Sequence, residues 1–150
     1  MLVYLDLCCF NRPFDEQTQL LVRLQTEAKL HVQAMIREGL LELAWSAMID
    51  LENAANPDPD RRAAVAGWAR LASVDVAANE RVEAMAEVFS ELGVKAMDAL
   101  HVASAIEANA GYFLTTDKAV LRKLAMEKRI QIVDPIDFVR DLEGACDENG

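Results

Sequence analysis

The sequence predicts an α/β domain, three-layered α/β/α around a central parallel sheet of about five strands. Three observations predict it. Short apolar runs recur along the chain, at residues 2–5, 40–45, 74–76, 112–116 and 130–133, and stretches with apolar residues at three- and four-residue steps separate them. The first run, Leu2-Val3-Tyr4-Leu5, is continuously apolar, as a strand covered on both faces must be. A chain of 150 residues that is 53% apolar, with few Gly and Pro, suffices for one well-covered core, and strands alternating with helices close into a parallel sheet with right-handed crossovers.

Each element has its own signal. Residues 2–5 read as a central strand, and Asn11-Arg12-Pro13 carries turn chemistry. A long helix is expected from about Asp15 to Glu38, with Leu21, Leu24, Ala28, Val32 and Met35 as its apolar stripe and Gly39 at the C-cap. His31 falls near that stripe and reads as packing rather than ligation. Leu40, Leu41, Leu43, Ala44 and Trp45 suggest a second strand, after which Ser46 can cap a helix that carries Glu52 and ends at Asn56-Pro57. Asp58-Pro59-Asp60 starts another helix, running to about Leu71 through Val65 and Trp68. Val74 and Val76 give a third strand, and Val82, Met85, Phe89 and Leu92 mark an amphipathic helix closed by Gly93. Between about Lys95 and Asn109, Ala99, Val102, Ala103 and Ile106 form a small-residue face able to lie close against a sheet. Residues 112–116 read as a strand, Val120, Leu121 and Leu124 as a short helix, Ile130, Ile132 and Val133 as the last strand, and Pro135 to Leu142 as the closing helix. The domain is expected to span 1–145, with 146–150 a frayed acidic tail.

Composition excludes several classes. Cys8, Cys9 and Cys146 make an odd count with two adjacent, which fits neither a disulfide framework nor the paired spacing of a zinc site; reduced, partly buried thiols are expected. The first apolar run is interrupted by Asp6, too early for a signal peptide, and no stretch approaches a membrane span, so a cytoplasmic protein without a membrane partner is expected. A net charge of −10 argues against a general nucleic-acid coat but leaves a nuclease open. Lys118, Arg122, Lys123, Lys128 and Arg129 gather positive charge near Asp117; most read as solvated helix faces, while Lys118, Arg122 and Arg12 are candidates for phosphate contact.

Four acids carry the functional reading: Asp6 and Asp117 close apolar strand runs, and Glu52 and Asp98 ride on helices. In open parallel sheets the functional crevice lies outside the carboxyl ends of the strands, so these acids can converge there. Two carboxylates about 4 Å apart repel by roughly 4 kcal/mol at an effective dielectric near 20, so such a cluster demands protons or cations. Oxygen donors select Mg²⁺ or Mn²⁺, which keep coordination positions open for a phosphate and can drive phosphodiester cleavage without a histidine or a nucleophilic side chain. A total of two His agrees with that chemistry. Each acid also has an ordinary explanation. Asp98 can complement a helix dipole, Asp117 can cap a helix, and Glu52 can face solvent with Asp50 competing for its place. Asp6 is the hardest to explain so, because an acid ending a buried apolar run must be paired, hydrogen-bonded or metal-bound.

Tyr4-Leu5-Asp6, Ser46 with Glu52 six residues on, Met97-Asp98-Ala99-Leu100-His101-Val102-Ala103 and Phe113-Leu114-Thr115-Thr116-Asp117-Lys118 resemble the ordered motifs of a PIN domain, over essentially the whole chain. The stretch from Asp6 to Asp15 is similar to the opening of one bacterial branch. The resemblance implies a metal-dependent endoribonuclease that hydrolyses single-stranded RNA to leave a 5′-phosphate and a 3′-hydroxyl, similar to the VapC-like toxins that pair with an antitoxin. It implies Asp6, Glu52, Asp98 and Asp117 as holders of Mg²⁺ or Mn²⁺, Thr116, Ser46 and Asn11 as supporting residues, and a possible homodimer, which the alanine-rich helices would allow. The chain departs from the family pattern after Asp6, where Leu7 and Cys8 replace a usual hydroxyl residue and Asn. Leu7 and the acidic balance motivate a second reading, a PIN-like binding module that has lost turnover. An aspartyl-phosphate protein fits less well: a dehalogenase-like phosphatase wants an Asp where Cys8 stands, and a receiver domain wants paired acids at the end of its first strand.

Overall fold

Five short strands carry the apolar runs: β1 (Leu2–Leu5), β2 (Glu42–Ser46), β3 (Ala72–Val76), β4 (Tyr112–Leu114) and β5 (Gln131–Val133). The computed structural model describes residues 1–11 and 19–149, with side chains at 1–10 and 19–144. The Asn11 side chain, Arg12, Pro13, the helix start near Asp15, the Cys146 thiol and the side chains of the acidic tail lie outside the described residues.

All pairings are parallel, in the order β3-β2-β1-β4-β5. Tyr4 on β1 sits between Ala44 of β2 and Phe113 of β4. The chain builds outward from β1 to β2 and β3, then returns to the other edge of β1 for β4 and β5. This reversal makes a topological switch point between β1 and β4, where connections diverge and leave a crevice beyond the strand ends. The three-layer α/β/α fold predicted from the sequence is the one observed.

The helices are α1 (Leu7–Asn11), α2 (Leu20–Arg37), α3 (Ala47–Ala54), α4 (Pro59–Gly67), α5 (Glu80–Glu91), α6 (Ala96–Glu107), α7 (Lys118–Lys123) and α8 (Pro135–Asn149). α4 tightens into a 3-10 turn at Trp68–Leu71. Capping follows local chemistry. Ser46 accepts the N–H groups of Met48 and Ile49 at the start of α3, and Asp58 accepts those of Asp60 and Arg61 at the start of α4, where Pro59 occupies the first turn. At the end of α2, Gly39 takes φ +78° while the Leu40 N–H bonds the Met35 carbonyl, a conformation disfavoured for a residue with a Cβ. The small face of α6 packs on the core: Ala99, Val102 and Ala103 are 0% exposed and Ile106 is partly buried against it.

Several expectations differ from the structure. Between Asp6 and the segment read as a turn, Leu7–Asn11 forms the short α1, a helix the sequence reading does not include. β4 ends at Leu114, although the Thr115 N–H still bonds the Val133 carbonyl, and α8 continues past Leu142 to Asn149. The buried face of α2 is Gln25, Lys29, Val32, Gln33 and Ile36, whereas Leu21 and Leu24 are exposed. Polar side chains occupy it because partners await them: Gln25 donates to Asp134 Oδ2 at 2.8 Å, and the Lys29 ammonium reaches the Cys8 carbonyl at 3.5 Å while its stem packs. His31 points to solvent and does not pack.

Candidate active site

Asp6 is the first residue beyond β1, and its N–H still bonds the Leu114 carbonyl of β4 at 2.9 Å, so strand pairing itself delivers the side chain to the switch point. The residue is 6% exposed. Its Oδ1 accepts the Leu7 N–H at 2.8 Å, and Oδ2 accepts the Thr115 hydroxyl at 2.8 Å and the Cys8 thiol at 3.5 Å. Burial raises its pKa, opposed by His101 and the Thr115 donor and reinforced by Glu52.

Asp117 follows β4 and caps α7, its Oδ1 accepting the N–H groups of Ala119 and Val120 at 2.8 and 3.2 Å. The ordinary capping role holds, yet the residue also lines the cleft, because one oxygen suffices for the cap. Glu52 lies in the last turn of α3, with Oε1 3.0 Å from His101 Nε2. Its competitor Asp50 is committed elsewhere, accepting the Trp45 indole N–H at 2.9 Å. Asp98 stands in the first turn of α6. Its pKa is pushed up to about 6, by burial first and then by the charges of Asp6, Asp117 and Glu52.

These four acids line one cleft of about 440 Å³ together with Leu7, Cys8 and Thr116. Mutual repulsion is therefore a property of the folded chain and is felt at Asp98. The donors facing the cleft are carboxylate oxygens, which suit a hard divalent cation. Among the described residues, Asp6, Glu52 and His101 can each offer an atom such that all lie within 4.8 Å of one another.

Of the supporting residues, Thr116 lines the cleft and bonds Cys8 Sγ at 3.3 Å, but the hydroxyl that bonds Asp6 is that of Thr115, which is fully buried and also accepts the Asp117 N–H at 3.1 Å. Ser46 is 0% exposed and reaches the Tyr4 hydroxyl at 2.6 Å. Tyr4 in turn bonds His101 Nδ1 at 2.7 Å. Sequence reasoning assigned no role to Tyr4, Thr115 or His101. The signal was present for His101, a polar ring set among Ala99, Leu100, Val102 and Ala103, since a buried polar group requires partners. Cys8 and Cys9 are free thiols, as expected. A hydrogen bond from Cys9 lowers the Cys8 pKa, while that same bond and burial raise Cys9. Lys118 and Arg122 are exposed on α7, and Lys118 shares a shallow groove with Thr116.

Comparison with solved structures finds a chain in the crystal structure of VapBC2 from Rickettsia felis bound to a DNA fragment from their promoter. The likeness has a TM-score of 0.55 at 10% identity and covers 88% of this chain and 97% of that one, which supports the fold. Comparison with curated proteins finds no match. The PIN domain family model matches residues 3–127. That span runs from β1 past α7 and takes in every acid of the cleft, and on this ground the chain belongs to the PIN domain family.

Proposed function

We propose that this protein is a metal-dependent endoribonuclease that cleaves single-stranded RNA, and that it serves as the toxin of a toxin-antitoxin pair. The observation that carries the reading is the convergence of Asp6, Glu52, Asp98 and Asp117 on one cleft at the switch point. Asp98, its pKa pushed up to about 6 by burial and then by the neighbouring acids, is a ligand that a cation would draw into its ionised form. Mg²⁺ or Mn²⁺, when bound, supplies activation of water and neutralisation of charge at a phosphodiester. The four acids would hold it, Asp117 through the oxygen its cap leaves free and Asp6 through a lone pair not taken by the Leu7, Thr115 and Cys8 donors. Thr115 and the Leu7 N–H orient Asp6, and the helix cap orients Asp117. Lys118, which shares a groove with the cleft residue Thr116, and the exposed Arg122 one turn further along α7 would meet phosphates of a strand entering the cleft.

Membership of the PIN family and the fold likeness to a VapBC2 chain support the toxin role and an antitoxin partner. An arginine from such a partner would pair with the cleft carboxylates in place of metal. A homodimer through the alanine face of α6 is disfavoured, because that face is buried within the protomer. Purified protein incubated with a mixed RNA pool, with and without Mn²⁺, followed by end mapping, tests activity, metal need and product ends together. Asp98→Asn is expected to abolish the metal-dependent cleavage; a variant as fast as the parent refutes the assignment.

A second reading is favoured by Leu7 and Cys8, which place an apolar side chain and a thiol on the cleft wall. On that reading the protein is a binding module without turnover. Calorimetry that shows intact folding but no divalent-metal binding would select it.

A further inference from the structure

The cleft acids are not all held equally. Asp6 is fixed by the Leu7 N–H and Thr115, and Asp117 by the cap of α7. Glu52 sits near the end of the eight-residue α3 with its side chain 32% exposed, and the hydrogen bond that holds it comes from His101. We propose that His101 is the positioning residue for Glu52. A one-way relay from Ser46 through Tyr4 and His101 locks the imidazole with its proton on Nε2, so that the ring donates to Glu52 and is withheld from metal coordination.

The direction follows from counting donors and acceptors. Ser46, Tyr4 and His101 are each 0% exposed, so their protons must go to protein partners. Ser46 Oγ accepts the Met48 and Ile49 N–H groups at 3.2 and 3.4 Å, which occupy its two lone pairs. Its own proton then goes to the Tyr4 oxygen at 2.6 Å. Tyr4, having accepted, sends its proton to His101 Nδ1 at 2.7 Å. A neutral imidazole that accepts at Nδ1 carries its proton at Nε2, which lies 3.0 Å from Glu52 Oε1. The reverse direction gives Ser46 three donors for two lone pairs, strands its proton, and sets a bare Nε2 lone pair against a carboxylate.

Rigid packing gives the relay its positional value. The Tyr4 ring stacks on Phe113 at 5.4 Å with an 18° interplanar angle, and meets the His101 ring edge-on at 5.9 Å. Proximity alone would admit His101 as a third metal ligand beside Asp6 and Glu52, since their ligand atoms lie within 4.8 Å. The tautomer decides otherwise. The inference rests on the metal-dependent reading above only where it concerns metal affinity.

Long-range ¹H–¹⁵N NMR of histidine-labelled, metal-free protein reads the tautomer directly. The expected result is a neutral His101 protonated at Nε2 alone, with a second tautomer appearing in Tyr4→Phe; protonation at Nδ1 in the parent overturns the proposal. Titration with Mn²⁺ by calorimetry then compares two substitutions. His101→Gln can keep a donor near the Nε2 position, while His101→Asn can keep only a partner for Tyr4. Asn is expected to weaken Mn²⁺ binding about 10- to 100-fold, the range for loss of a supporting hydrogen bond, with Gln near the parent value. Equal loss in both variants refutes the positioning role. A parent that binds no Mn²⁺ overturns the metal-dependent reading, while the tautomer result still decides the relay.

Discussion

Asp98→Asn should stabilise the metal-free protein, and the gain should grow with pH. The carboxyl is pushed from 3.8 to about 6 by burial and by Asp6, Asp117 and Glu52, so the folded state binds its proton more tightly than the unfolded chain does. Stability is therefore lost as pH rises from the unfolded value through the folded one, and the loss is complete above about pH 6. At about 1.4 kcal/mol per decade the full penalty is roughly 3 kcal/mol, and solvent screening of a half-exposed group reduces it to roughly 1–2 kcal/mol. Asn removes the charge at nearly constant shape. For a domain of this size the gain corresponds to roughly 3–6 °C in Tm at pH 7.5 in EDTA, falling to about a third of that near pH 4.5, where little of the penalty has developed. Thermal melts of both proteins across this range measure it. A gain independent of pH, or a variant less stable than its parent at pH 7.5, refutes the claim that burial and the neighbouring acids raise the Asp98 pKa.

Mn²⁺ affinity of the parent, followed by calorimetry, should rise between pH 5 and 7 and then level, because Asp98 must lose its proton to bind; a flat profile would place Asp98 outside the site. Thr115→Val removes the donor to Asp6 Oδ2 and the acceptor of the Asp117 N–H from a fully buried position, so urea denaturation should show a loss of about 1–3 kcal/mol, largely recovered in Thr115→Ser. Gly39→Ala meets no atom within 4 Å but must hold φ +78°, and the backbone cost alone should be about 1–2 kcal/mol by the same assay. Cys8, with its pKa lowered by Cys9 and its thiol on the cleft wall, should be alkylated by iodoacetamide well before Cys9, as peptide mass spectrometry would show.

Strands were legible because a parallel strand buried on both faces leaves a continuous apolar run, as at Val3-Tyr4-Leu5 and Phe113-Leu114, both wholly buried. Caps were legible because their chemistry is local: Ser46 and Asp117 bond N–H groups two and three residues on. The orientation of α2 was not. Leu21 and Leu24 outweigh Gln25 and Lys29 on any hydropathy count, yet the polar pair is buried because Asp134 and the Cys8 carbonyl, far along the chain, satisfy it. The choice between Asp50 and Glu52 was equally closed to sequence, since it turns on the Trp45 indole claiming Asp50.

His101 was missed although the rule that singled out Asp6 applies to it equally, and the two belong to one device. Tyr4 and Asp6 are two residues apart where β1 pairs with β4, so both project from the same side of the sheet. The central strand thus presents a carboxylate to the cleft and, one step back, a phenol that orients His101 and through it Glu52. Asp6 comes from β1 and Glu52 from the helix after β2, yet the position of each is referred to the same rigid strand, clamped between Ala44 and Phe113. A slip of one residue in the β1 register would turn both Tyr4 and Asp6 to the opposite face. The strand that closes the core therefore also sets the spacing of the acids. Substitutions that loosen the packing of Tyr4 should weaken metal binding even though the ring lines no part of the cleft.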